Sequence, residues 1–158
     1  MPPDEDGWNV KRSGVNVTLS KKEKSEDENS EIEAYLIMLD SPANPISDYV
    51  ERIKQNTQKG YAQNSKFKIT SLEVAEDKNN HQCARVHLLL EDLKPIRTVT
   101  HEDKKFSEQY VLSCGLLKNK RVGIEVRYYH RFYEPNKDSQ LADKVNNIFA
   151  TVKILDEK

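Results

Sequence analysis

Three segments of the chain, 81–90, 106–117 and 122–133, alternate apolar and polar side chains with the period of two that belongs to a β-strand. The last two are joined by a tight turn at Lys118-Asn-Lys-Arg121. In such a ladder a slip of one residue turns every side chain to the other face, so the register decides what the sheet can do. Setting Cys83 opposite Cys114 places Val86 opposite Val111, and Arg85 and His87 opposite Leu112 and Tyr110. Ala84, Val86, Leu88 and Leu90 then share a face with Val111. Carried through the turn, the pattern predicts Ile124, Val126 and Tyr128 on that same face.

The opposite face would collect Arg85, His87, Tyr110, Arg127, Tyr129, Arg131 and Tyr133. Arginine brings a planar fork for carboxylate or phosphate, and tyrosine brings rigid stacking area with a hydroxyl donor. Such a face suits an anionic ligand, a peptide or stacked bases. The competing reading is a second core layer under a helix, with the arginines paired to Glu108 and Glu125. Two readings also stand for the cysteines: a cross-strand disulfide, which implies an oxidising compartment, or two buried thiols packing as small hydrophobes.

The remaining elements follow from local signals. Gly7–Val10 and Gly14–Leu19 read as a short strand or hairpin, with Val15, Val17 and Leu19 on one face. Lys21–Ser30 holds no apolar side chain and mixes both charges, so residues 20–31 are expected to be an exposed charged loop. Ile32–Leu39 is nearly continuous in apolar residues, as in a strand covered on both faces. Asn44 and Pro45 predict a helix start, with Ile46, Tyr49, Val50 and Ile53 on one face and Gly60 at the C-terminal cap. Phe67–Val74 is a strand, and residues 91–105 form a long polar loop. Asp138 or Ser139 caps a last helix with Leu141, Val145, Ile148 and Phe149 on one stripe, and 151–155 closes as a short edge strand. The whole is one α+β domain, 1–158, with residues 1–6 as a flexible lead-in: a twisted antiparallel sheet with helices packed on it.

Charge and motifs exclude several classes. The chain has 25 basic and 26 acidic side chains, so no whole-molecule field draws it to nucleic acid or an anionic membrane. No apolar stretch approaches a membrane span, although a lipid anchor upstream of this chain stays open. There is no phosphate loop, nucleophile elbow or zinc-protease motif, and Cys83 and Cys114 lack metal-ligand spacing. His81 and His87 are expected about 20 Å apart, with His130 on the other face and His101 in the long loop. Neither a metal, a cofactor nor a catalytic residue is expected.

The order of elements resembles the PsbP-like fold of extrinsic photosystem subunits, bacterial envelope lipoproteins and a Ran-binding nuclear import factor. The residues that carry the resemblance are Gly7-Trp8, the strand Ile32–Leu39 and its Pro-initiated helix through Ile53. Phe67-Lys-Ile-Thr, Ala84-Arg-Val-His-Leu-Leu-Leu and the ending Leu141…Val145…Ile148-Phe149…Val152 follow in the same order. The resemblance implies an α/β/α sandwich and a non-enzymatic role in a larger assembly. It points to a periplasmic or outer-membrane lipoprotein that acts through a protein partner. Type VI secretion chaperones of the Eag type are similar in plan, which leaves a cytoplasmic chaperone or adaptor for a secreted effector as the alternative. An enzyme for an anionic small molecule is the third reading. The charged 21–30 segment and the Arg/Tyr-rich strand depart from both groups.

Overall fold

The computed structural model describes residues 7–23, 27–95, 103–116 and 119–154. Among the described residues seven strands form one antiparallel sheet: β1 (Asn9–Ser13), β2 (Asn16–Lys22), β3 (Asn29–Met38), β4 (Phe67–Glu76), β5 (Cys83–Asp92), β6 (Lys105–Gly115) and β7 (Val122–Tyr133). Their order across the sheet is β1-β2-β3-β7-β6-β5-β4. Helix α1 (Ile46–Ala62) follows β3, and α2 (Leu141–Ala150) follows β7 after a short 3-10 turn, Glu134–Asn136. The two helices pack on opposite faces, giving an α+β fold. On one face Ile53 and Tyr61 of α1 meet Val86, Leu88, Leu90 and Val111. On the other, Leu141, Val145 and Phe149 of α2 meet Ile32, Leu112, Val126, Tyr128 and the two cysteines.

The β5–β6 ladder is the one argued from the cysteines: Cys83 lies opposite Cys114 and Val86 opposite Val111. The two sulfurs are bonded, 2.06 Å apart. The β6–β7 ladder corrects the expectation. Gly115 pairs with Gly123, so Val111 faces Arg127 and Leu112 faces Val126. Ile124, Val126 and Tyr128 therefore lie on the face opposite Val86 and Val111. The glycine pair gives a physical reason. A Cβ at Gly115 would stand 2.4 Å from the Ala43 Cβ, and one at Gly123 would stand 2.7 Å from the Cys114 carbonyl oxygen. A slip would place a side chain where none fits.

Other boundaries move for tertiary reasons. Val15 is not on the strand face with Val17 and Leu19; it sits in the β1–β2 turn after Gly14, whose φ of +59° suits glycine. Helix α1 begins after Pro45, which is preceded by a cis bond from Asn44, and no side chain caps it. It runs through Gly60 because Tyr61 packs on the β5 side chains. Gln140, not Asp138 or Ser139, stands at the N-cap of α2, while Asp138 accepts the Gln140 N–H at 2.9 Å. Residues 151–154 form no strand, since Val152 and Ile154 pack on the α2-side core and not on a sheet edge. On the α2 side the end of strand β3 is uncovered, leaving Leu36 49% and Met38 77% exposed in place of the expected two-sided cover.

The expected charged loop, 20–31, is mostly strand: Lys21 pairs with Ser30 and Lys22 with Asn29. Glu28 is buried there, accepting from the Tyr133 backbone N–H at 2.8 Å and from the Asn136 amide at 3.0 Å. The 91–105 loop shrinks likewise, because Asp92 pairs with Lys105. The lead-in 1–6, residues 96–102 with His101, and Leu155 lie outside the described residues.

Candidate functional site

The seven Arg/Tyr/His candidates do not share one surface. The β6–β7 register puts Arg85, His87 and Tyr110 on the α2 side and Arg127, Tyr129, Arg131 and Tyr133 on the α1 side. On the α2 side the three are tied into the packing. Arg85 pairs with Asp77, donates to the Asn146 side-chain oxygen and lies 5.5 Å over the Phe149 ring. His87 stacks on Tyr110 with ring centres 4.4 Å apart. Glu108 Oε1 binds His87 Nε2 at 2.7 Å and accepts the Tyr110 hydroxyl at 2.9 Å. Burial pushes the Glu108 carboxyl up, but these two bonds outweigh it and hold it below the usual range. His130 also lies on this side, contrary to the sequence expectation, directly opposite Glu108 on the neighbouring strand. Among the described residues no group of three or more His, Cys, Asp or Glu is placed to hold a metal ion.

On the α1 side Tyr133 is only 1% exposed and belongs to a buried cluster. Its hydroxyl donates to Asp27 at 2.6 Å, and Lys105 lies 5.3 Å over its ring. Burial lowers the Lys105 pKa, which nearby Asp27 partly restores. The apolar cluster under α1 ends at Val111 on β6. Beyond it, β7 and β3 present Arg127, Tyr129 and Arg131 with no described helix over them. Strand β3 adds Glu31 opposite Tyr129, Glu33 opposite Arg127 and Tyr35 opposite Glu125.

This open half is braced along its border with α1. Ser113 Oγ donates to Glu125 at 3.1 Å, so its 2.7 Å bond with buried Tyr49 is donated by the tyrosine. Tyr35 donates to the same carboxylate at 2.6 Å, and Arg127 does so at 3.3 Å. Burial, reinforced by the Glu125 bond, raises the Tyr35 pKa far above its ordinary value, so the hydroxyl stays a donor. Arg127 lies 5.8 Å over the Tyr35 ring and keeps a buried Nε with no partner among the described residues. Arg131 is exposed and lies 4.9 Å over Tyr129, to whose oxygen its Nε donates. Glu31, partly buried beside Glu33, has its carboxyl raised by burial and then by that neighbour.

Sequence reasoning passed over Glu31, Glu33 and Tyr35 because Ile32–Leu39 reads as one apolar run. The signal was there as alternation: Glu31, Glu33 and Tyr35 interleave with Ile32, Ala34 and Leu36. It also passed over Ser30, which meets His130 at 2.9 Å across β3 and β7. No family model matches the chain. None of the curated proteins matches it at a significant level. Among the described residues no helix is long and apolar enough to cross a membrane.

Proposed function

We propose that the protein is a non-catalytic binding or accessory protein of PsbP-like architecture, working through protein–protein contacts in the bacterial cell envelope. The observation that carries this reading is the open half of the α1-side face, where Arg127, Tyr129, Arg131 and Tyr35 stand on adjacent strands with no described helix over them. Arginine and tyrosine dominate the energetics of protein interfaces. Mounted on strands, with Arg127 and Tyr35 braced through Glu125 and Arg131 bonded to Tyr129, they lose little freedom on binding. Glu31 and Glu33 give the surface both signs of charge, which suits a mixed polypeptide surface better than a polyanion. The Cys83–Cys114 disulfide supports an oxidising compartment.

A second reading, a cytoplasmic chaperone or adaptor for a secreted effector, draws on exposed Leu36 and Met38 as a small apolar patch. The disulfide weighs against it. An enzymatic reading is weaker still, because His87 and the open-face arginines lie on opposite sides of the sheet.

The test is site-specific photocross-linking in native envelope fractions. A cross-linking residue at position 129 should give one discrete protein adduct, and one at exposed Lys54 on α1 should not. Arg131→Ala should weaken the adduct by about tenfold, the loss expected of an interface anchor. No adduct, equal adducts from both positions, or capture confined to the cytoplasmic fraction would sink the envelope proposal.

A further inference from the structure

A cavity of about 310 Å³ lies between α2 and strands β4 to β6, on the face of the sheet opposite Arg127, Tyr129 and Arg131. Its walls include Glu73, Ala75, His87, Tyr110, Ala142 and Phe149. That volume falls at the small end of the roughly 300–1,000 Å³ typical of small-molecule sites. One row of the sheet crosses it: Glu73 stands opposite His87, and His87 opposite Tyr110.

Most of the wall is already fixed by its own contacts. The His87 and Tyr110 rings stack with planes 9° apart, and both are bonded to the same oxygen of buried Glu108. Arg85, also in the lining, is held by buried Asp77, by the Asn146 side-chain oxygen and over the Phe149 ring. Glu73 differs from these. It is exposed and makes no hydrogen bond or ion pair among the described residues.

The lining and the groups bonded to it carry three carboxylates, Glu73, Asp77 and Glu108, against one permanent cation, Arg85. A proton on His87 would still leave that balance negative. Two of the carboxylates are buried behind the wall, where solvent and salt screen them less than at the surface. Tyr110 registers the same field: burial raises its pKa first, and the Glu108 and Glu73 charges raise it further. An anionic ligand would meet this field and find Arg85 already paired. A cation gains from it, and the Tyr110 and Phe149 rings add to its attraction. Ala75, Ala142 and Phe149 supply an apolar wall for the body that carries the charge.

We propose that this cavity is a binding site for a small organic cation, a primary ammonium on an apolar or aromatic body, with Glu73 as its ion-pair partner. The experiment is NMR titration of protein labelled at tyrosine and histidine with three close analogues: phenethylamine, 2-phenylethanol and phenylacetate. Phenethylamine should shift the Tyr110 and His87 ring resonances saturably and bind more tightly than the neutral and anionic analogues. Glu73→Gln should weaken phenethylamine by about fivefold, the upper end for a partly exposed ion pair, and leave 2-phenylethanol unchanged. Glu51→Gln, an exposed carboxylate of α1 on the other side of the sheet, should change neither. Ala142→Trp, at an exposed position of α2 that lines the cavity, should abolish the shifts while the chain stays folded. The proposal fails if phenethylamine moves neither ring, if 2-phenylethanol or phenylacetate binds as tightly, or if the shifts survive Ala142→Trp. It fails equally if Glu73→Gln leaves the preference for the amine intact.

Discussion

The two faces of this sheet are built to different degrees of completion. On the α2 side the core is continuous: Leu141, Val145 and Phe149 lie over Ile32, Leu112, Val126 and Tyr128, with the disulfide between β5 and β6 beneath them. On the α1 side the helix covers β4 to β6, and the apolar layer stops at Val111. Past that line the strands carry Arg127, Tyr129, Arg131, Glu31 and Glu33, joined by hydrogen bonds and cation–π contacts. The difference separates what holds the fold from what is left for recognition. Burial removes apolar area from water and stabilises in proportion, whereas partly exposed ion pairs contribute little and leave their groups able to change partners.

If that division is right, the largest effect belongs to the completed side. Phe149→Ala should cost about 3–5 kcal/mol in urea unfolding, from lost transfer energy and the cavity left behind. A loss no larger than that of an open-face substitution would break the comparison. Next comes the covalent link in the same layer. Replacing both cysteines by alanine frees a sequence separation of 31 residues, which loop-closure entropy values at about 3–4 kcal/mol. A midpoint unchanged by the double substitution, or by reductant, would show that the bond adds nothing to the packing around it.

A third effect is sharper than it is large. Burial holds the His130 pKa below its ordinary value in the folded chain, while the unfolded chain titrates near 6.5. Above that pH the ring is neutral in both states and no stability is lost. As pH falls through about 6.5 the unfolded chain binds the proton first, so stability declines by at most about 1.4 kcal/mol per pH unit until the folded pKa is reached. His130→Gln should flatten this slope when unfolding is followed from neutral to mildly acidic pH. An identical slope in the variant would assign it to other groups. The smallest effect is expected on the open half: Tyr129→Ala and Arg131→Ala should each change stability by about 0.5 kcal/mol or less. A loss several times greater would return these side chains to the core and remove the recognition surface.

Most elements were legible in the chain before folding. Alternation marked β4 to β7, the Asn44-Pro45 pair marked the start of α1, and the Leu141–Phe149 stripe marked α2. The candidate site was legible only in its residue types. Arg127, Tyr129 and Arg131 belong to the open surface, but Arg85, His87 and Tyr110 fell on the other side and Tyr133 into a buried cluster. Strand β6 explains the failure. From Val111 to Gly115 it is buried on both faces, so its own pattern favours neither side. Glu28 shows a second limit: a charge run reads as solvated until a strand partner and the Tyr133 N–H arrive from 105 residues away.

By itself the sequence determined most of the strands and both helices, and setting Cys83 opposite Cys114 supplied the register of β5 against β6 that the structure has. These follow from spacing within a segment and from one assumed pair. Only the tertiary structure decided which side of β7 faces which helix. There a turn one residue shorter or longer inverts the whole strand, and the choice rests on the space around Gly115 and Gly123, which exists only once Ala43 and the Cys114 carbonyl are in place.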